Sequence, residues 1–323
     1  MSNLYWVIYK NLEREVLHFG DLIHFDDNQL SVYSIRISDL LLRCAVEIEA
    51  ISKELYAKNG GEAIVYDDAG NSRNLYFDTD CLNYLETKWK LSKKQVFISS
   101  TNAYFEQEDN KVLTPLKDAN RRSKCNWKKA YQSIKHDRGK ELERGNIKNL
   151  LHAMAALFIL NIYYKNEEEI SVGKTKVLAD LSFGSEIFSI YTNVRMPTQD
   201  GSEAVQNEDD EKSIYIIKIA ESLYVKYLEQ IKRAHMQKIN VMQTIIGDKY
   251  TVAEKEDMDG NIIEFLYDTD FIELARKEDI DSGNLTKLIT NIAEIDKKPA
   301  TFLADQGYEA VLNKNQIIYC GIH

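Results

Sequence analysis

Lys135-His136-Asp137-Arg138 sets an imidazole between two cations within four residues. Those residue types suit phosphodiester chemistry. Cations hold phosphate oxygens, and the planar fork of Arg138 suits a bidentate contact. Positive neighbours also disfavour a further positive charge, so His136 is expected neutral and able to accept a proton. RNA cleavage needs a base for the 2′-hydroxyl and cations for the charge developing at phosphorus. The plainer alternative is a solvated basic face, with His136 in the last turn of a helix. His235, after Lys232-Arg233, has the next strongest cationic company, but it falls on a long helical stretch.

The tetrad ends a wider basic island. Residues 117–140 hold Lys117, Arg121, Arg122, Lys124, Lys128, Lys129, Lys135, Arg138 and Lys140 against Asp118 and Asp137. The segment is +7 in a chain of net charge −10, so the remainder carries −17. An acidic average argues against general affinity for nucleic acid, whereas the island marks where a polyanion could dock. Arg121, Arg122, Lys124, Lys128 and Lys129 are its candidate nucleic-acid contacts.

Other constellations have simpler readings. Gly173-Lys174-Thr175 ends like a phosphate-binding loop, but Glu168 stands where the pattern needs its first glycine. His24, Asp26 and Asp27 are expected to cap a turn, and no metal site is assigned. Asp257-Met258-Asp259-Gly260-Asn261 reads as a hairpin turn, because Ile262 occupies the place where a calcium loop needs glycine. No Gly-x-Ser-x-Gly elbow occurs, and Cys44, Cys81, Cys125 and Cys320 form no CxxC pair. Nothing here calls for a cofactor.

The elements that must position the island are mostly helical. Only three prolines interrupt 323 residues, and 44 % apolar with 28 % charged residues is a globular composition. Helices are expected over 3–18 (Leu4, Ile8 and Leu12 on one side), 34–58, 79–92 (capped by Thr79 or Asp80), 126–138, 145–165 and 213–246. In 34–58, Ile37, Leu41, Cys44, Ile48, Ile51 and Leu55 follow the spacing of one helical face. In 126–138, Trp127, Ala130, Tyr131 and Ile134 should point inward and Lys128, Lys129 and Lys135 outward, with Gly139 as the break. The breadth of the apolar stripe in 145–165 suggests the centre of a bundle. Short strands are expected around 62–78 and 96–98, with a long loop over 99–124. Beyond 250 a hairpin at 259–261, a helix near 284–294 and a strand at 316–320 complete the reading. The expected fold is mainly α: a bundle over 1–165, a strand-bearing insertion and acidic linker over 166–212, and a long helix with a small α+β region over 213–323. No run approaches 18 consecutive apolar residues and no leader is visible, so a cytoplasmic protein without membrane spans is expected.

Trp127-x3-Tyr131-x3-Lys135-His136-x-Arg138, followed by Gly145-Asn146 and a long apolar helix, resembles bacterial helical proteins of the HEPN type. The 34–58 helix, with Leu40-Leu41-Leu42-Arg43 and Glu47-Ile48-Glu49-x3-Lys53-Glu54, looks like the acid-bearing helix of that superfamily. The resemblance covers residues 1–165 and implies a helical bundle, often dimeric. It also implies either a metal-independent endoribonuclease of a defence or stress system, or a non-catalytic binder of RNA or protein. The nuclease motif of the superfamily is an arginine, four to six residues, then a histidine. The nearest spacings here are Arg14-x3-His18 and Arg144-x7-His152. A variant site would use His136 as base, Lys135 and Arg138 on phosphate, and Glu47 or Arg43 to orient them. The expected partner is RNA; the rival is an acidic protein or a second copy of the chain docking on 117–140.

Overall fold

The computed structural model describes residues 3–67, 69–122, 124–167, 169–173, 182–194, 208–219, 221–246, parts of 283–298, and 308–314. The chain is mainly helical, with small sheets, as the sequence leads one to expect.

The first helix, α1 (Leu4–Gly20), starts where the Asn3 side chain accepts the Trp6 N–H at 3.1 Å. Its inward face is Tyr5, Tyr9, Leu12, Val16 and Phe19, whereas Leu4 is 64 % exposed. A short strand β1 (Phe25–Asp26) leads to α2 (Ile35–Lys58), capped by Ser34 Oγ on the Ile37 N–H at 3.1 Å. Its buried stripe contains every apolar position that the spacing marks.

A small hairpin, β2 (Val65–Tyr66) and β3 (Ser72–Arg73), follows. The expected helix over 79–92 divides. A π-helical turn over Phe77–Leu82 runs into α3 (Asn83–Trp89), Lys90 turns left-handed at φ 48°, and Leu91–Lys93 is one 3-10 turn. Neither Thr79 nor Asp80 caps it. The Asp80 carboxylate instead receives both terminal nitrogens of Arg73, at 2.6 and 2.9 Å.

Strand β4 (Val96–Ile98) forms as expected. The expected loop 99–124 contains β5 (Ala103–Tyr104), α4 (Glu108–Lys111) and β6 (Val112–Leu113), and buries Leu113, Leu116 and Ala119. Next come α5 (Asn126–His136), α6 (Arg138–Glu141) and α7 (Ile147–Lys165). The break lies at Asp137, not Gly139, which is inside α6. Asp137 leaves helical geometry (φ −145°, ψ 74°), and its side chain then caps the Lys140 N–H.

Helix α7 is the centre. It packs on α2, with Cys44 Sγ 3.2 Å from Met154 Sδ, while α1 and α5 pack alongside. Its N-terminus is tied to the segment before α2: the N–H groups of Ile147 and Lys148 reach the carbonyls of Val32 and Leu30, both at 3.0 Å. Among the described residues α7 alone is long and apolar enough to cross a membrane. Most of it is covered by protein, which is the condition of a core helix.

The later residues are built onto this bundle through β7 (Glu169–Gly173), β8 (Phe188–Ile190), β9 (Thr192–Val194), α8 (Glu208–Lys212), β10 (Tyr215–Ile219), α9 (Glu221–Ile246) and β11 (Tyr308–Leu312). Strand β8 pairs antiparallel with β4, giving the order β6-β4-β8. A second sheet has the order β7-β11-β10-β9. The helix expected to begin at 213 therefore begins at Glu221. Ile214 and Ile217 sit at helical spacing, but pairing of β10 with both β9 and β11 decides for strand. Described residues between 283 and 298 are helical, close to the expected helix. The hairpin at 259–261 and the strand at 316–320 lie outside the described residues.

Candidate anion-binding face around α5

Helix α5 buries Trp127, Ala130, Tyr131 and Ile134, as its pattern requires. Trp127 fixes it at one end, its indole N–H donating to the Pro115 carbonyl at 2.8 Å. Tyr131 fixes it to α2, its hydroxyl donating to Glu49 Oε1 at 2.9 Å. Desolvation and that carboxylate push the phenol well above its ordinary range.

Lys128 departs from expectation. It is buried, its ammonium 2.8 Å from Asp78 Oδ2, 2.8 Å from the Ala119 carbonyl and 2.7 Å from that of Arg121. A buried ammonium must satisfy three donors, and here all three are used. Lys128 thus clamps the segment before α5 to the π-helical turn rather than facing solvent.

The residues assigned to catalysis stand in separate surroundings. His136 is exposed at the end of α5, and its side chain makes no hydrogen bond or ion pair among the described residues. Lys135 Nζ lies 3.3 Å from the Tyr131 hydroxyl and 5.3 Å from its ring centroid. Arg138 is held by Asp39 at 2.8 Å, and Arg43 by Glu15 at 2.6 Å. These two arginines share a surface groove of about 410 Å³ with Glu15, Arg36 and Asp39, and His136 does not line it. Partial burial raises the Glu47 carboxyl, against the pull of Arg43. What the structure joins is Arg43 with Arg138, each already matched by a carboxylate.

The unmatched cations collect elsewhere. Lys117, Arg122, Lys124, Lys129 and Lys148 pair with no carboxylate among the described residues, unlike Arg121, which has Asp118 at 3.4 Å. They line two pockets, one along the middle turns of α5 and one beside its first turn. One, of about 410 Å³, is bounded by Arg122, Lys129, Gln132, Ser133 and Arg144, with the Asp78–Lys128 pair in its wall. The other, of about 190 Å³, has Lys117, Lys124 and Lys148 at its rim and His152 in its lining. Sequence reasoning set His152 aside because its spacing from Arg144 is too long. Its surroundings became visible only when α7 was packed behind α5. Burial and nearby Lys148 depress the imidazole to about 4. Cys125, at the start of α5, is pushed up to about 11 by burial, so it is a thiol at neutral pH.

The remaining motifs have structural roles. His24 stacks on Tyr104 with ring centroids 4.2 Å apart. Asp26 caps the turn at Asn28 and Gln29, and Asp27 accepts from the Glu106 and Gln107 N–H groups and from Asn110 Nδ2. Three or more acidic, histidine or cysteine side chains do not converge in a metal-ligand group among the described residues. Gly173 ends a strand rather than opening a helix, and Lys174 and Thr175 lie outside the described residues. No family model, curated protein or solved structure matches the chain.

Proposed function

We propose that this is an RNA-binding protein with a HEPN-like helical bundle, which takes the phosphate backbone on the face around α5. The observation that carries this reading is that five cations without an ion-pair partner among the described residues line two pockets along α5. Unpaired surface cations are those whose counterions change on binding a polyanion, and Arg122 and Lys129 offer both charge and hydrogen bonds. The acidic remainder of the chain confines the attraction to this face. Exposed Lys135 and His136 extend it along the helix.

Binding, rather than cleavage, is the activity the geometry favours. A general base works when a further group fixes its orientation, and His136 has no such group among the described residues. Arg43 and Arg138 are each engaged by a carboxylate.

Fluorescence anisotropy with a single-stranded RNA across a salt series tests the proposal. Affinity should fall steeply with salt, and the double variant R122Q/K129Q should lower the slope by about 1 to 2. Affinity indifferent to salt and to both substitutions would remove the reading. Salt-sensitive self-association without RNA affinity would point to a second copy as the occupant of this face.

A further inference from the structure

The smaller pocket differs in kind from the open basic face. Its volume of about 190 Å³ is below the roughly 300–1,000 Å³ of sites that enclose drug-sized molecules, so it suits a headgroup. Three ammonium groups, of Lys117, Lys124 and Lys148, stand against one carboxylate, Asp118, which Arg121 already engages. With Arg121 neutralising Asp118, the three lysines leave an excess of positive charge that suits a phosphate dianion.

Two further features point inward. The first turn of α5, an 11-residue helix, opens here with Cys125, Asn126 and Trp127 in the lining, and no side chain caps it. The positive end of the helix dipole favours an oxyanion, although the Trp127 and Lys128 N–H groups lean on the buried Cys125 sulfur. Independently, His152 lines the pocket from α7, partly exposed, and its side chain has no hydrogen-bond partner among the described residues. Its ring nitrogens stay open to the pocket, so a ligand that enters can replace water as their partner. A neutral imidazole donates one N–H to a phosphoryl oxygen, and Asn149 adds a polar edge beside it.

We infer that the pocket formed by Lys117, Lys124, Lys148, His152 and the first turn of α5 binds a phosphate monoester, carried by the end of an RNA chain or by a free nucleotide. The inference rests on the RNA-binding reading for the first source and stands alone for the second. No bond is made or broken. The pocket holds the dianion by charge and hydrogen bonds, while the open face carries the diester backbone.

The test uses the full chain in two titrations. Calorimetry compares adenosine 5′-monophosphate with adenosine, and anisotropy compares one RNA sequence with terminal phosphate (5′ or 3′) and with hydroxyl ends only. The monophosphate should bind where adenosine does not, or the phosphorylated RNA should bind at least tenfold tighter. Either preference should drop at least fivefold in Lys148→Gln, whose exposed site leaves the fold intact, and in His152→Gln. A nucleotide preference alone identifies a free nucleotide as the source, and an RNA preference alone identifies a chain end. Equal binding with and without phosphate in both titrations overturns the inference while leaving general RNA binding standing. Loss of all RNA binding with retained monophosphate binding overturns the RNA reading instead.

Discussion

Lys128 Nζ sits 2.8 Å from Asp78 Oδ2, joining α5 to the π-helical turn 50 residues earlier in the chain. The same ammonium satisfies the carbonyls of Ala119 and Arg121, so one side chain closes the loop that carries the basic island. Lys129, its neighbour, is exposed and pairs with no carboxylate among the described residues. Two adjacent lysines thus have opposite duties.

That contrast predicts opposite phenotypes. Lys128→Ala leaves a partly buried carboxylate and two carbonyls without their cation and should cost about 3 kcal/mol in urea unfolding. Lys129→Ala should change stability by less than about 0.5 kcal/mol while lowering the RNA salt slope by about 1. Equal effects of the two substitutions on stability would remove the distinction.

Gly145 meets α2 closely at the entry to α7. A Cβ built there would lie 2.7 Å from Ser38 Cβ and 2.9 Å from Ser38 Cα. Its φ of −78° is ordinary, so the requirement is for space rather than for a left-handed backbone. Gly145→Ala should destabilise by about 1–3 kcal/mol through overpacking, read as a lower urea midpoint. The double variant with Ser38→Gly should recover part of that loss.

Glu13 is wholly buried and anchors residues 185–187 to α1. Its Oε1 accepts from Tyr9, Ser185 and the Glu186 N–H, and Lys10 pairs with its other oxygen. Glu13→Ala strands these donors and should cost about 3–5 kcal/mol. Amide exchange at Glu186 and Ile187 should accelerate more than at the α2–α7 contact. Uniform acceleration would show that α1 and 185–187 are not a separable unit.

The depressed His152 imidazole makes stability depend on pH in a defined direction. Its folded value of about 4 lies below the unfolded 6.5, so the unfolded chain binds the proton more readily. Stability is therefore complete above about 6.5 and declines as pH falls toward 4, by on the order of 2 kcal/mol after allowance for solvent in the pocket. His152→Gln should flatten the profile in that window. A bound phosphate dianion would favour the imidazolium and move the decline to a higher midpoint.

Cleavage is tested with purified protein on total RNA, wild type against His136→Ala. The expected result is the same RNA profile for both, with at most a small loss of affinity in the variant. Cleavage abolished by His136→Ala would instead return the histidine, with Lys135 and Arg138, to a catalytic role.

Much of the helical frame was legible in the residue pattern. The boundaries of α2 and α7 follow from caps at Ser34 and Asn146 and from apolar spacing, both of them local effects. The inward face of α5 is local in the same way. The beginning of α9 was not, because Ile214 and Ile217 satisfy helical spacing as well as strand pairing. Their state depends on β9 and β11, the latter supplied nearly a hundred residues later.

The sequence by itself determined that positive charge concentrates in 117–140, since formal charge needs no fold to be counted. Only the tertiary structure decided which of those charges are available. Lys128 went to Asp78, Arg138 to Asp39 and Arg121 to Asp118. Lys117, Arg122, Lys124, Lys129 and, from α7, Lys148 form no ion pair among the described residues, with Arg122 over the Tyr76 ring. Asp78 and Asp39 come from other elements, and burial is a property of the packed chain. Those two effects place the accessible positive charge along the first turns of α5 rather than at Lys135-His136-Asp137-Arg138 at its end.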